Sequence, residues 1–418
     1  MNGWRTRIAE SCRPVTSQSD KQRHNSRCSN RIICKVDGGF VLEVGDFYSC
    51  AVAFTLTLLG LWLLTPHARR LGLLDHPAGR KDHCCPTPAT GGIAMLGGVL
   101  IAGIFFVGDS GVASLGFALA ATIVILVGVL DDKHDLSWKT RIGGQAIAAL
   151  VMVYLGGIRV EQLGDIVGLP PGSLGLLSVP FTVFITIGII NAINMIDGAD
   201  GLAGLLVLSA LLMFEAAALY SGNTAVSLRL PVFIGAVAGF LIYNLRFPWQ
   251  PRAKIFMGNA GSAFLGLALA CFAVRLTQNP AHPVSPVLGP WLILVPIIDC
   301  LVLMIRRLRS KRSPFSADRD HIHHLMIESG FGPTRAAVDL ALFSCGCGLA
   351  AAQLLRLHVP HVFLVIAFVG LCVLWYWMSA RRTRAIKFFK WLRRPILLRT
   401  DDPEFPSESD QRVNTELS

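Results

Sequence analysis

The sequence predicts an all-α, polytopic integral membrane protein, and three observations carry that expectation. Of its 418 residues, 53% are hydrophobic and 16% charged, where a soluble domain carries about a quarter charged. Apolar runs near the roughly 20 residues that a helix needs to cross a bilayer recur along the chain. The basic residues collect in alternate connecting segments, the arrangement that fixes orientation in a membrane. A membrane barrel would instead alternate apolar and polar residues along short strands.

Three regions follow in chain order. Residues 1–44 form a polar, basic extension carrying Arg5, Arg7, Arg13, Lys21, Arg23, Arg27, Arg31 and Lys35. No apolar signal-peptide core follows directly, and disorder is the expectation there. Residues 45–380 hold about eleven apolar segments, near 48–65, 91–107, 113–130, 143–157, 176–193, 202–220, 230–243, 262–276, 288–305, 336–355 and 361–379. Residues 381–418 form a polar tail, basic and then acidic.

The joining loops alternate in charge. One set holds Arg69, Arg70, Arg80 and Lys81, then Lys133, Lys139 and Arg141, then Arg246, Arg252 and Lys254, then a dense run from Arg306 to Arg319, and finally Arg381 to Lys387. The other set is nearly uncharged. The basic set is expected to face the cytoplasm, and an odd number of spans puts the N-terminus outside. The basic extension then stands on the wrong side; a start near Val41 or Val44, through an alternative initiation codon, removes that conflict. A net charge of +11 would point to nucleic acid in a soluble protein, but here the loops account for it and no nucleic-acid partner is expected. The eleven cysteines include no C-x-x-C pair, so neither a disulfide framework nor a zinc site is expected.

Five polar motifs all fall in the basic loops: "LDHPAGRKDHCCPTPATGG", "DDKHDLSW", "NAINMIDGADGLAG", "NLRFPWQPRAKIFMGNAGS" and "RRLRSKRSPFSADRDHIHH". Random solvated loops do not segregate in this way; an active site on one face of a membrane does. Asp131 and Asp132 end an apolar run, with Asp135 one turn beyond. Carboxylates are disfavoured at a helix C-terminus, so three of them there ask for a cation, unless they are only a solvated helix end. Mg2+ or Mn2+ suits an all-oxygen site that also meets phosphate. Asn191, Asn194 and Asp197 recur along one helical stripe, with Asp200 beyond a glycine. They form either a ligand-recognising group or a glycine-rich turn with aspartate caps. His321, His323 and His324, beside Arg319, suit phosphate binding or proton handling. Lys81, in "RKDH", reads equally as a phosphate contact or as charge set against lipid headgroups. Asn259 opens an apolar helix, where it either touches a substrate or ion or caps the helix.

In this order the motifs resemble those of the polyprenyl-phosphate N-acetylhexosamine-1-phosphate transferases, in the WecA-type branch. The resemblance covers roughly residues 45–380 and rests on "DDKHDLSW", "NAINMIDGADGLAG", "FMGNAGS" and "SPFSADRDHIHH". Ile322, which interrupts the histidines, and "AHPVSPV" favour that branch over the phospho-MurNAc-pentapeptide transferases. The resemblance implies an enzyme of the bacterial inner membrane with a cytoplasmic active site. Undecaprenyl phosphate would attack UDP-N-acetylglucosamine, UMP would leave, and undecaprenyl-diphospho-GlcNAc would begin O-antigen or a related surface polysaccharide. It also implies roles. Asp131 and Asp132 work with Mg2+ or Mn2+, and Asp131 accepts the lipid-phosphate proton. Asn194, Asp197 and Asp200 line the nucleotide site, with Asp200 near the uracil and Phe256 stacked on that base. Lys81, Arg319, His321, His323 and His324 serve the phosphates, with His321 and His324 in the catalytic group.

The departure is Asn259, where the family places a metal-binding aspartate. Asparagine keeps a carbonyl oxygen and loses the charge, so weaker Mg2+ binding is expected unless another carboxylate compensates. Two other function classes fit less well. A transporter would place ionisable or broken-helix sites near the midplane, and the main acids inside these segments are Glu215 and Asp299. A non-catalytic paralogue binding the same ligands rests on Asn259 alone.

Overall fold

The computed structural model describes residues 44–75, 85–107, 111–164, 173–314 and 320–393. The extension 1–43 and the tail from 394 lie outside these residues, as do Lys81 and Arg319. The described chain is helical: α1 (Val44–Leu64), α2 (Ala68–Leu71), α3 (Gly91–Phe106), α4 (Val112–His134), α5 (Trp138–Tyr154), α6 (Ser178–Ile196), α7 (Leu202–Ser221) and α8 (Thr224–Ser227), then α9 (Leu230–Asn244), α10 (Gly258–Thr277), α11 (Leu288–Leu292), α12 (Leu294–Arg309), α13 (Ile322–Glu328), α14 (Pro333–Arg356), α15 (His361–Ser379) and α16 (Arg382–Arg393). Two short strands, β1 (Leu74–Asp75) and β2 (Thr87–Pro88), pair antiparallel.

All eleven predicted apolar segments are helical. Eight spans among the described residues are long and apolar enough to cross a membrane: 45–71, 112–134, 175–196, 202–221, 224–244, 258–277, 333–356 and 361–379. Large apolar side chains point outward from them, Trp62, Phe184, Leu342 and Ile366 among others, as the lipid-facing surface of a multi-pass membrane protein requires. The other three predicted segments are shorter. α3 has 16 residues and α5 has 17, and the segment near 288–305 splits at Ile293, where φ is −119° and ψ is 32°. Pro296 explains the split. In a continuous helix its ring would strike the carbonyl of Leu292, whereas a helix restarting at Leu294 holds it in the first turn, where no such bond is lost.

α10 lies at the centre and packs against α3, α4, α6 and α7. Glycines let the backbones meet. A Cβ on Gly128 of α4 would lie 2.3 Å from the Ala260 Cα, one on Gly92 of α3 2.3 Å from the Gly261 N, and one on Gly266 of α10 2.5 Å from the Ile190 Cα of α6. Small residues at membrane-helix contacts allow this approach. Gly128→Ala is therefore expected to overpack the joint at a cost of about 1–3 kcal/mol. Gly97→Ala on α3, where a Cβ meets nothing within 4 Å, is expected to be neutral or slightly stabilising. Thermal unfolding of the detergent-solubilised protein separates the two: a melting temperature lowered by Gly97→Ala as much as by Gly128→Ala would contradict this packing.

Candidate active site

The close joint of α4 and α10 sets the first part of the site. Asp132, in the last turn of α4, accepts hydrogen bonds from the backbone N–H groups of Asn259 (2.9 Å) and Ala260 (3.4 Å). The open N–H groups and the dipole at the start of α10 stabilise a carboxylate there. Gly258 makes the approach possible. Its φ is +72°, and a Cβ would lie 2.7 Å from the Asp132 Oδ2. The side chain of Asn259 does not cap α10, whose N-cap is Met257 with no side-chain hydrogen bond. Asn259 reaches across to α6 instead: its Oδ1 accepts from the Asn194 Nδ2 at 2.7 Å, and that same nitrogen donates to the Ser262 Oγ at 2.9 Å.

Adjacent aspartates diverge, because consecutive helical residues point about 100° apart. Asp131 is buried and turned toward α5, where Oδ2 pairs with the Arg141 Nη1 at 3.2 Å and Oδ1 accepts the Leu136 N–H at 2.9 Å. It opens onto a cleft whose polar lining is Asp131, Arg141, Gln145, Asn191, Asn194 and Asn259, and whose apolar wall includes Val124 and Ala263. Asn191 donates to the Gln145 Oε1 at 2.8 Å. Asp135 does not join its neighbours: it ends α4 in the left-handed region at φ 49° and is exposed.

α6 stops at Asp197, and the turn 197–201 brings the second carboxylate group in. Asp200 Oδ2 accepts from the Arg246 Nε at 2.7 Å and from the Ala253 N–H at 3.0 Å. Asn244 fixes the same turn, accepting the Gly201 N–H at 3.0 Å and donating to the Ile255 carbonyl at 2.9 Å. Phe256 follows; its N–H donates to the Pro88 carbonyl at 2.8 Å and its own carbonyl accepts from Gly91 at 3.1 Å. Asp197 itself accepts no hydrogen bond among the described residues. Burial, then the charges of Asp200 and Asp132, push its carboxyl up to about 7.

The histidines close the site. A Cβ on Gly198 would lie 2.5 Å from the His323 Nε2 and 3.6 Å from the His324 Nε2, so α13 rests directly on the Asp197 turn. The rings of His323 and His324 lie 4.2 Å apart, and that of His321 is 5.5 Å from His323. His323 is fully buried with both ring nitrogens unpartnered. Burial and the two neighbouring imidazoles hold its pKa well below the usual histidine range, which keeps it neutral. His321 has a buried partner, Asp299 of α12. Asp299 Oδ2 lies 2.7 Å from the His321 Nδ1, and Oδ1 accepts the Ile322 N–H at 3.2 Å and the Trp375 Nε1–H at 3.4 Å.

No group of three or more His, Cys, Asp or Glu side chains is spaced to enclose a metal ion among the described residues. The donor chemistry nevertheless fits a hard divalent cation. Two carboxylates, Asp132 and Asp197, are near enough for one to raise the other's proton affinity, and Asp197 has no counter-charge. Mg2+ is commonly held by one or two carboxylates, with water and substrate phosphate completing its shell. The linkage has a definite sign. Asp197 binds its proton more tightly in the folded protein than the ordinary 3.8, holding it up to about 7. Stability of the metal-free protein therefore falls as pH rises through that window. Melting temperatures in chelator are expected to drop between the lower and upper ends of the window. Mg2+ should restore them mainly at the upper end, and Asp197→Asn should flatten the profile.

The family model for glycosyl transferase family 4 matches residues 114–277. The chain is also similar to three proteins each named undecaprenyl-phosphate alpha-N-acetylglucosaminyl 1-phosphate transferase. It is 34% identical to that of Haemophilus influenzae over 348 residues, covering 83% of this chain and 96% of the relative. It is 33% identical to that of Escherichia coli strain K12 over 344 residues, covering 80% and 92%, and 33% identical to that of Salmonella typhimurium over 347 residues, covering 80% and 92%. The chain belongs to glycosyl transferase family 4. The matched family segment runs from α4 through α10 and holds Asp131, Asp132, Asn194, Asp197, Asp200, Phe256 and Asn259; the histidines lie beyond it.

Reasoning from sequence to this family site missed three residues. Arg141 counts there only as orientation charge, and Gln145, one turn on, lies in an apolar run. The i, i+4 spacing of two polar residues at the mouth of a span was the available signal. Asp299 counts there as an isolated acid in a span, although an ionisable residue in such a segment is by default a functional candidate.

Proposed function

We propose that the protein transfers N-acetylglucosamine 1-phosphate from UDP-N-acetylglucosamine to undecaprenyl phosphate, releasing UMP and leaving undecaprenyl-diphospho-GlcNAc in the membrane. The supporting observation is that the carboxylates of the Asp132–Asp197 group and the His321–His324 cluster meet at one end of the bundle, in a chain whose relatives carry that activity in their names over 92% or more of their length. Phosphoryl transfer between two anions depends mainly on positioning and charge neutralisation, and this end of the bundle supplies both.

In this reading Asp132 and Asp197 hold Mg2+ or Mn2+, with the Asn259 carbonyl beside them. The ion neutralises the diphosphate when bound. Asp131 holds Arg141 at the mouth of the cleft, where the guanidinium meets the lipid phosphate. Asp131 also takes the proton of that phosphate, and Asp131→Asn is expected to lower kcat by about 10^2- to 10^4-fold. Asn194 positions the diphosphate side of the nucleotide, and Asp200 and Phe256 border the uracil. His321 and His324 contact phosphate oxygens, while neutral His323 packs the turn beneath them. Lys81 and Arg319 add cations from the adjoining loops. The α3, α5 and α11–α12 segments complete eleven crossings in the bacterial inner membrane. The polar end faces the cytoplasm, on the argument of the basic loops, and the product begins O-antigen or a related surface polysaccharide.

The test is UMP release from UDP-N-acetylglucosamine with undecaprenyl phosphate and Mg2+. Turnover is expected in the protein as it stands, with the Mg2+ requirement shifted to lower concentration by Asn259→Asp. No UMP with either Mg2+ or Mn2+ would remove the proposal. A second reading, a non-catalytic paralogue, is favoured by the neutral Asn194–Asn259 pair; activity only after Asn259→Asp would establish it.

A further inference from the structure

α16, "RTRAIKFFKWLR", follows the span α15 after only Ala380 and Arg381. It carries Arg382, Arg384, Lys387, Lys390 and Arg393 and no acidic residue. At 100° per residue these side chains sort onto three faces. The first faces the protein. Ala385 and Phe389 are 0% and 5% exposed, the Phe389 ring meets that of Phe331 at 6.2 Å, and Arg382 pairs with Asp320 and Glu328 around α13.

The second face is apolar and exposed among the described residues. Phe388, Trp391 and Leu392 are 41%, 65% and 45% exposed, with the rings of Phe388 and Trp391 6.3 Å apart. Arg384 ties this face to the end of α15 by lying 4.0 Å over the ring of Trp377. Trp377 in turn continues the outward apolar stripe of Val373 and Leu374 on α15. The third face presents exposed Lys387 and Lys390. A two-residue linker reaches only about 7 Å when extended, so α16 cannot leave the level at which α15 ends. Aromatic residues on one face and lysines on another are the arrangement by which a helix lies at the boundary of headgroups and acyl chains.

We propose that α16 is a membrane-surface helix that seats Phe388, Trp391 and Leu392 in a leaflet of anionic phospholipid, and that this seating clamps α13 and its histidines against the Asp197 turn. The charge selects the lipid: Lys387 and Lys390 stand beside the apolar stripe with no acidic residue on the helix to oppose an anionic headgroup. The route to the site is short, because the buried face of α16 packs on the helix that carries His323 and His324. This inference rests on the membrane-spanning bundle and is independent of the reaction proposed above.

The test uses the full chain in vesicles of phosphatidylcholine, with and without phosphatidylglycerol. The fluorescence difference between the protein and Trp391→Phe isolates Trp391. In anionic vesicles this component should be quenched by phospholipid with brominated chains and protected from aqueous iodide. Amide exchange across 322–331 should be slower in anionic than in neutral vesicles, and Lys387→Gln/Lys390→Gln should erase that difference, at about fivefold per lysine. Iodide quenching of Trp391 in anionic vesicles overturns the proposal, as does exchange that ignores lipid charge. Protection of Trp391 from both quenchers, lost on deleting residues 394–418, overturns it too and assigns the stripe to the acidic tail.

Discussion

Replacing Asp132 by asparagine is expected to lower kcat for UMP release by about 10^3-fold while the protein stays folded. The carboxylate does two things that the amide cannot. It brings a negative charge to the Asp197 side of the site, where a divalent cation would answer it. It also accepts from two successive N–H groups of α10; asparagine offers one acceptor and places an NH2 group against the second donor. The structural cost is the loss of one charged partner at a helix N-terminus, about 0.3–1 kcal/mol. Rate and stability should therefore separate widely. Single-turnover UMP release and a thermal melt on the same preparation read both, and a loss of activity matched by a collapsed melting temperature would show Asp132 to be structural only.

Asp299→Asn is expected to cost about 10^2-fold in kcat without any contact between that residue and substrate. Asp299 is a positioning residue. Its Oδ2 accepts a hydrogen bond from the His321 Nδ1–H, which leaves Nε2 as the free end of the ring. An asparagine that keeps Oδ1 toward the Ile322 and Trp375 donors turns its NH2 toward Nδ1, imposes the other tautomer and leaves Nε2 protonated. The ring 15N chemical shifts of His321 should report that change of tautomer in the variant, an effect that a packing defect does not produce. Asp299→Ala is harsher, since it strands the His321 and Trp375 donors in a buried site. An unchanged His321 tautomer in Asp299→Asn would remove the positioning role.

The eleven apolar segments were legible because hydropathy and loop charge act over long windows and need no partner. The site loops were legible for the same reason: their polar residues could be assigned to one face before any contact was known. The partnerships were not. Asp131 and Asp132 read as one carboxylate pair in sequence, yet Asp131 belongs to Arg141 and Asp132 to the start of α10. That division follows from the rotation between neighbours on a helix and from which helix lies opposite, and only packing determines the second. Asp299 shows the same limit, since 22 residues separate it from His321. The break at Ile293 was within reach, because Pro296 marks it, but the apolar run on either side hid the interruption.

The two sides of the site are held by different kinds of joint. α3, α4 and α6 meet α10 backbone to backbone at Gly92, Gly128 and Gly266, where no side chain can change rotamer. α13 is held through side chains instead: Ile322, Leu325 and Met326 are buried in the core, Asp299 meets His321, and ion pairs and an edge-on ring pair join through Asp320, Glu328 and Phe331. The carboxylate side is thus set by backbone contacts and the histidine side by side-chain contacts. A change at one of those glycines therefore has to move a whole helix, whereas a change on α13 is absorbed by the side chains around it, so the histidine side is expected to tolerate substitution better than the carboxylate side.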